Sequence, residues 1–241
     1  MHVLICSIIR NRKDFLFGWK DLILCLTDEN PGITFDLSVY ENDSTDGTKE
    51  YLRSITPELE AELNKVCITS VDEHKPYFGS VRDEERVKLL AAARNKTLDQ
   101  IDLSIYDKIV FMEPDINFNP SGLSQLFYTD DDICSPYSLH PIEYQNHRWI
   151  YDSWATRLNI ADDIFKGPRI LEMPDVLPVQ STFNCFCVYR AKPFKEGARF
   201  SGINPITNNW DCDTTNICGE FIQRGYIKIS LYNMPLIHLG N

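Results

Sequence analysis

The sequence lacks any apolar run of the roughly 20 residues needed to cross a bilayer. It also lacks an excess of basic residues, because 24 Lys and Arg stand against 35 Asp and Glu, giving a net charge of −11. Nucleic acids and anionic membranes favour clustered positive charge, so neither is predicted as a main partner. The first strand-like run starts at His2, which leaves no room for a signal peptide and predicts a cytoplasmic protein.

Internal repeats, low-complexity tracts and Gly/Ser linkers are also missing, so residues 1–241 are predicted to form one domain. Eight cysteines are present, yet no two have the Cys-x-x-Cys spacing of a zinc ribbon or redox site. For the later group we favour reduced structural thiols, with zinc binding and disulfides as the alternatives. This group comprises Cys185, Cys187, Cys212 and Cys218.

Strand patterns alternate with helical patterns through the first half, which is typical of an α/β fold with a mainly parallel central sheet flanked by helices. Apolar or alternating runs predict strands at residues 3–9, 34–40, 66–70 and 108–112. Amphipathic stretches predict helices at residues 13–27, from a capping-box-like Ser80 and Asp83 to about Ile101, and at residues 214–224.

An acidic turn follows the second predicted strand. The run Glu41-Asn42-Asp43 supplies hydrogen-bond acceptors where the strand stops, Gly47 relaxes the turn, and Asp46 is suited to cap the next helix. Such a segment is either an ordinary strand-turn-helix corner or the place where a nucleotide is held at the carboxyl end of a strand.

An arginine falls on the apolar stripe of the middle helix. Arg94 shares this stripe with Val87, Leu90 and Leu98, so its guanidinium needs an anionic partner inside the fold. One interpretation is an internal salt bridge to a core carboxylate. The other is that Arg94 and the neighbouring Asn95 fix a pyrophosphate, or the ribose and strand-end carboxylates around it.

Two carboxylates follow the fourth predicted strand. In Glu113-Pro114-Asp115 the proline bars a helix, and residues i and i+2 of an extended segment project to the same side. Paired carboxylates suit Mg²⁺ or Mn²⁺, which complete their shells with phosphate oxygens and water. A plain acidic turn is the alternative.

The ordered motifs resemble those of GT-A glycosyltransferases: Val39 to Thr48, then Ala93-Arg94-Asn95, then Glu113-Pro114-Asp115. Four later segments extend the resemblance over nearly the whole chain, and they are most similar to the fungal capsule-associated α-1,3-mannosyltransferase family. These segments are Tyr151-Asp152-Ser153-Trp154, Pro178-Val179-Gln180-Ser181, Ala191-Lys192-Pro193-Phe194 and Trp210-Asp211-Cys212-Asp213.

The resemblance implies a Rossmann-like GT-A domain whose residues 1–120 bind a nucleotide-diphosphate sugar and whose residues 121–241 bind the acceptor. Glu41-Asn42-Asp43 departs from the commoner Asp-Asp-Gly, so Glu41 is the better candidate for the base or ribose and Asp43 has the less defined role. The residues expected around the donor are Arg10, Glu41, Asp43, Arg94, Asn95 and Glu113.

The same resemblance implies which residues bind the metal ion and the acceptor. Glu113 stands where the family has the first Asp of D-x-D, so Asp115 is the firmer metal ligand, joined by His238 near the end of the sequence. The alternative for His238 is an ordinary histidine without a ligand role. Asp213 is better placed to cap a helix, which leaves Asp211 as the acceptor-side base if the enzyme inverts.

A second acceptor-side carboxylate is Asp152. It is expected to bind sugar hydroxyls while the flanking Tyr151 and Trp154 stack on a pyranose, the alternative being a buried aromatic corner. Weaker candidates of the same kind are Tyr144, His147 and Trp149.

The predicted function is metal-dependent transfer of a hexose from a GDP- or UDP-sugar to a glycan hydroxyl. The family resemblance favours GDP-mannose and retention of configuration. A catalytically inactive nucleotide- or glycan-binding module and a sugar-nucleotide hydrolase are the alternatives. Glycans on the sequons at Asn42 and Asn95 would obstruct the expected site, which again favours the cytosol. The oligomeric state is not predicted.

Overall fold

The first half of the sheet consists of parallel strands, as the alternating pattern predicted. A computed structural model describes residues 1–139 and 150–240; Tyr144, His147 and Trp149 lie outside this part of the chain. The strands lie in the order β3-β2-β1-β4, and each neighbouring pair is parallel. Their bounds are β1 His2–Ile9, β2 Thr34–Asn42, β3 Lys65–Val71 and β4 Lys108–Met112.

Two of the helices between these strands begin beside an aspartate that caps the first turn. α1 (Leu16–Glu29) follows a short 3-10 turn, α2 spans Thr48–Glu62, and α3 spans Glu84–Asp99. The Asp46 carboxylate accepts the Thr48 N–H at 3.0 Å, and the Asp83 carboxylate accepts the Arg86 N–H at 3.0 Å. Both side chains satisfy backbone donors that a helix start leaves free.

The second half of the sheet is mixed, so the prediction of a mainly parallel sheet applies only to the first half. β8 runs antiparallel to β4 and β6, whereas β9 is parallel to β6 and antiparallel to β5 and β7. An antiparallel neighbour needs no crossover helix, and α6 is the one long helix described after residue 124. The bounds are β5 Ile116–Asn117, α4 Pro120–Ser124, β6 Ile133–Leu139, β7 Val176–Pro178, β8 Phe186–Arg190, α5 Ala191–Lys195, α6 Asp213–Gln223 and β9 Ile229–His238.

Apolar side chains fill both faces of the sheet. Along β1, Leu4 and Cys6 point into one buried cluster, while Val3 and Ile5 point into the other. Burial on both faces explains why the central strands read as nearly continuous apolar runs. All eight cysteines are free thiols. Within the described ranges, no helix is long and apolar enough to cross a membrane.

Candidate active site

A cavity of about 470 Å³ opens where the carboxyl ends of β1, β2 and β4 meet. Parallel strands that start in the same direction end at the same edge of a sheet, so residues following β1, β2 and β4 converge there. Tyr40 and Asn42 line the cavity from β2, and Glu113 and Asp115 line it from the segment after β4. The acidic turn and the acidic pair of the sequence therefore border one cavity.

Asp115 is the more buried of the two carboxylates. Its Oδ2 accepts a hydrogen bond from Arg12 Nε at 3.0 Å and lies 3.5 Å from His238 Nε2. Burial alone would raise the pKa of Asp115, but His238 and the Arg12 guanidinium hold it below its ordinary value. The carboxylate is thus ready to act as a charged ligand.

His238 reaches Asp115 from the end of β9. Its imidazole is 3% exposed and stacks on Tyr151, with ring centroids 3.6 Å apart. The buried Nδ1 has no hydrogen-bond partner among the described residues. Behind it the chain passes so close that a Cβ on Gly240 would lie 2.4 Å from Asp115 Oδ2, which makes glycine necessary there.

The side chains at this edge fit a divalent cation. Ligand atoms of Glu113, Cys185 and His238 all lie within 4.8 Å of one another, and Asp115 adjoins His238. Carboxylate oxygens and an imidazole nitrogen are suitable ligands for Mn²⁺, and the unpartnered Nδ1 leaves one such nitrogen free. The residues expected to hold the metal are therefore together, although 123 positions separate Asp115 from His238 in the sequence.

Basic side chains collect around the same cavity even though the chain as a whole is acidic. Lys75 and Lys96 form no ion pair within the part of the chain that is described, so their charges are open to an anionic ligand. Of the basic residues around the cavity, only Arg10 was predicted from the sequence. The signal for Arg86 and Lys96 was a second stripe on α3, formed by residues 86, 89, 90, 93 and 96. The basic residues are Arg10, Arg12, Lys75, Arg86 and Lys96.

Arg10 and Asp43 shape the loop that covers one side of the cavity. Arg10 donates hydrogen bonds to the carbonyl oxygens of Lys75 at 2.7 Å and Pro76 at 3.0 Å. Asp43 accepts the N–H groups of His74 at 2.7 Å and Lys75 at 3.1 Å. Although burial opposes it, these backbone donors lower the pKa of Asp43 to about 2. Arg10 lines the cavity, whereas Asp43 acts on it through the loop.

Glu41, predicted to contact the base or ribose, does not line the cavity. The side chain is fully buried, and its carboxylate accepts the Ser44 N–H at 2.9 Å and a short hydrogen bond from the Ser70 hydroxyl. One carboxylate oxygen therefore binds the turn after β2, and the other binds β3. The neighbours Tyr40 and Asn42 are the β2 residues that a ligand would meet.

Arg94 forms the internal salt bridge rather than a phosphate contact. Its Nε donates to Asp213 at 2.8 Å and its Nη2 lies 3.4 Å from Glu113, with the Phe183 ring 4.5 Å away. Asn95 is also engaged within the protein, because its side-chain amide exchanges two hydrogen bonds with the Phe200 backbone. Neither residue lines the cavity, and Arg94 influences it by holding Glu113.

Asp211 is likewise committed to a structural ion pair. Its two oxygens accept bidentate hydrogen bonds from Arg157 at 2.6 and 2.7 Å, and Oδ1 also accepts the Cys212 N–H. Asp213, which was expected to cap a helix, instead pairs with Arg94. Asp211, the predicted acceptor-side base, does not line the cavity.

Asp152 adjoins the site and has an unusual protonation equilibrium. Its Oδ2 accepts the Asn184 N–H at 2.9 Å, and the next residue back, Tyr151, lines the cavity. Burial, followed by the nearby negative charge of Glu113, raises the pKa of Asp152 to about 6. A carboxyl with such a pKa can accept or donate a proton near neutral pH.

Replacing Asp152 by Asn is expected to flatten the pH dependence of stability in the metal-free protein. Because the folded state holds this proton more tightly, the stability contributed by Asp152 is complete below pH 4 and is lost as the pH rises through 6. Between pH 4 and 7, the free energy of unfolding of the wild type should therefore fall by about 3 kcal/mol relative to that of Asp152→Asn. Urea unfolding in EDTA measures this difference. Surface Asp99→Asn should keep the wild-type slope; an equal slope in both variants would contradict the raised pKa.

The fold of this chain is similar to that of solved glycosyltransferases. The chain superposes on the mannosyltransferase PcManGT from Pyrobaculum calidifontis, solved with GDP-Man and Mn²⁺, with a TM-score of 0.55 and 13% identity over 98% of this chain and 56% of that one. It also superposes on S. aureus TarS 1-349 in complex with UDP-GlcNAc, with a TM-score of 0.54 and 14% identity. This match covers 97% of this chain and 56% of that one. The chain thus spans less than two thirds of these neighbours. No curated protein sequence matches it at a significant level.

The fold, a parallel half-sheet joined to a mixed half-sheet that supplies the histidine, matches that of GT-A glycosyltransferases. The family described as cryptococcal mannosyltransferase 1 matches residues 2–219. The chain belongs to this family. The resemblance inferred from the ordered motifs and the single α/β GT-A fold are both confirmed.

Proposed function

We propose that the protein transfers mannose from GDP-mannose to a hydroxyl group of a glycan, using Mn²⁺ or Mg²⁺. Membership of the mannosyltransferase family supports the sugar, and a structural neighbour solved with GDP-Man and Mn²⁺ supports both the nucleotide and the metal. The observation that carries the proposal is the meeting of Glu113, Asp115 and His238 at the edge of one cation-lined cavity.

The charges around the cavity suit a nucleotide-diphosphate donor. Lys75, Lys96 and Arg86 would attract the diphosphate, because their positive charges stand at the cavity surface of a chain that is otherwise acidic. Tyr40 and Asn42 are positioned at the end of β2 to contact the base or the ribose. The donor would therefore lie across the carboxyl ends of β1, β2 and β4.

The remaining residues prepare the site for group transfer. Asp115, Glu113 and His238 would hold the divalent cation, and this ion would offset the charge that develops on the leaving diphosphate. Arg12 and Arg94 keep the two carboxylates in place through hydrogen bonds at 3.0 and 3.4 Å. Asp152 would bind the acceptor hydroxyl and exchange its proton. The flanking Trp154, predicted to stack on a sugar, packs against the core and carries the Arg82 guanidinium over its ring at 5.0 Å.

A screen of nucleotide sugars tests this proposal. GDP-mannose, UDP-glucose and UDP-GlcNAc are incubated with mannose oligosaccharides, with Mn²⁺ or with EDTA, and GDP or UDP release is compared with the mass of the acceptor. We expect Mn²⁺-dependent GDP release matched by one added mannose. Equal release without acceptor would indicate a hydrolase, binding without release would indicate an inactive module, and turnover insensitive to EDTA would contradict the role of the metal.

A further inference from the structure

Cys185 lies beside the candidate metal-binding residues Glu113 and His238, and no role has been assigned to it so far. It directly precedes β8, and its carbonyl oxygen accepts the Glu113 N–H at 2.8 Å. Its thiol sulfur lies within 4.8 Å of both a Glu113 carboxylate oxygen and an imidazole nitrogen of His238. The side chain is 1% exposed. A sulfur, an oxygen and a nitrogen thus surround one small volume.

His238 provides a second and independent indication of a ligand. The imidazole is buried beneath Tyr151, and Nδ1 has no hydrogen-bond partner in residues 1–139 or 150–240. Buried polar nitrogens nearly always have a partner, since an unsatisfied one is costly. An ion bound at Nδ1 of His238 would provide that partner.

The backbone holds the thiol in place by an unusual conformation. Asn184 and Cys185 have φ angles of +52° and +63°, a region that non-glycine residues seldom adopt. The fully buried Asn184 side chain fixes this bend by hydrogen bonds to Ser138, Thr156 and Thr182 at 2.9 to 3.1 Å. A strained and fully bonded segment next to a candidate site is typical of a position where geometry matters.

We propose that Cys185 is a ligand of the divalent cation, so that Glu113, Cys185 and His238 form an oxygen, sulfur and nitrogen set that takes thiophilic ions of the Zn²⁺ class. This inference uses the metal site of the proposed function, and it depends on that function in no other way. Zn²⁺ binds most donor sets more tightly than Mn²⁺, and thiolates strengthen that preference. On coordination the thiol loses its proton to solvent. Zn²⁺ should therefore displace Mn²⁺ at low concentration.

The test uses Co²⁺ as a spectroscopic substitute for Zn²⁺, because a thiolate bound to Co²⁺ produces an intense charge-transfer band in the near ultraviolet. Wild-type protein should show this band, and Cys185→Ser should lose it. Cys25→Ser, which removes the exposed cysteine, is the matched control and should keep the band. Competition titrations should show at least about a tenfold weaker affinity for Zn²⁺ in Cys185→Ser, since even indirect partners of a metal have effects of this size.

Each result decides the proposal. Circular dichroism verifies folding, and Cys185→Ala replaces the serine variant if that one unfolds. A band that persists in both Cys185 variants, or a wild-type protein that binds Co²⁺ without the band, overturns the role of Cys185. The second result, combined with Mn²⁺-dependent turnover of GDP-mannose, leaves the proposed function intact. Conversely, a band that depends on Cys185 in a protein without transferase activity retains the ligand and rejects the function.

Discussion

Replacing Asp115 by Asn is expected to lower Mn²⁺-dependent turnover of GDP-mannose by about a hundredfold to a thousandfold, the usual effect of losing one group that stabilises developing charge. The buried carboxylate contacts both Arg12 and His238, and it is the only acidic side chain within 3.5 Å of the histidine in the described chain. Asn keeps the shape but removes the negative charge that a divalent cation needs. The measurement is the initial rate of GDP release at saturating donor, over a range of Mn²⁺ concentrations.

A surface carboxylate provides the control for this variant. Asp99 pairs with Arg199 at 3.3 Å on the outside of the protein and does not line the cavity, so Asp99→Asn should retain the wild-type rate. Thermal unfolding and Mn²⁺ calorimetry on both variants separate a folding defect from a loss of metal affinity. Full metal-dependent turnover in a folded Asp115→Asn protein would contradict the assignment of Asp115 as a metal ligand.

Replacing Arg94 by Met is expected to destabilise the fold by about 3 to 5 kcal/mol, the range found when one member of a buried ion pair is removed. Met fills much of the space among the aromatic rings of Phe111, Phe183 and Phe200, so loss of volume is a minor part of the effect. The main part is the Asp213 carboxylate, which is left buried and without its cation. Urea unfolding in EDTA measures the difference.

Two further variants isolate the electrostatic contribution of Arg94. Arg94→Met combined with Asp213→Asn removes both charges and should recover part of the lost stability, which a double-mutant cycle will quantify. Arg199→Met breaks an exposed pair and should change stability by less than about 1 kcal/mol. If Arg94→Met kept wild-type stability and instead bound GDP weakly, the phosphate-binding interpretation of Arg94 would be restored.

Local patterns sufficed to predict the elements that form the cavity. β1 and β4 are nearly continuous apolar runs, β2 alternates, and Asp46 and Asp83 stand at helix starts, so the parallel half follows from the sequence. The acidic pair after β4 followed from strand alternation, which places Glu113 and Asp115 on one side. Both line the cavity in the structure.

Side-chain pairings between residues that are distant in the sequence could not be predicted from it. Glu41 has the right position for a ligand contact, but whether its carboxylate faces outward depends on Ser44 and on Ser70 of the neighbouring strand. Asp211 is occupied by Arg157, 54 positions away. Arg12, which contacts Asp115, was missed because nothing in its own segment indicates a partner 103 residues further along. Such pairs depend on topology, which local propensity does not determine.

The contribution of β9 to the cavity couples cation affinity to the completeness of the fold. β9 docks against β5, β6 and β7, and only this docking brings His238 to Asp115 and Tyr151. A partly folded chain with only the parallel half formed would hold both carboxylates of the acidic pair but not the imidazole. Metal binding would then stabilise the complete fold relative to such a partly folded chain.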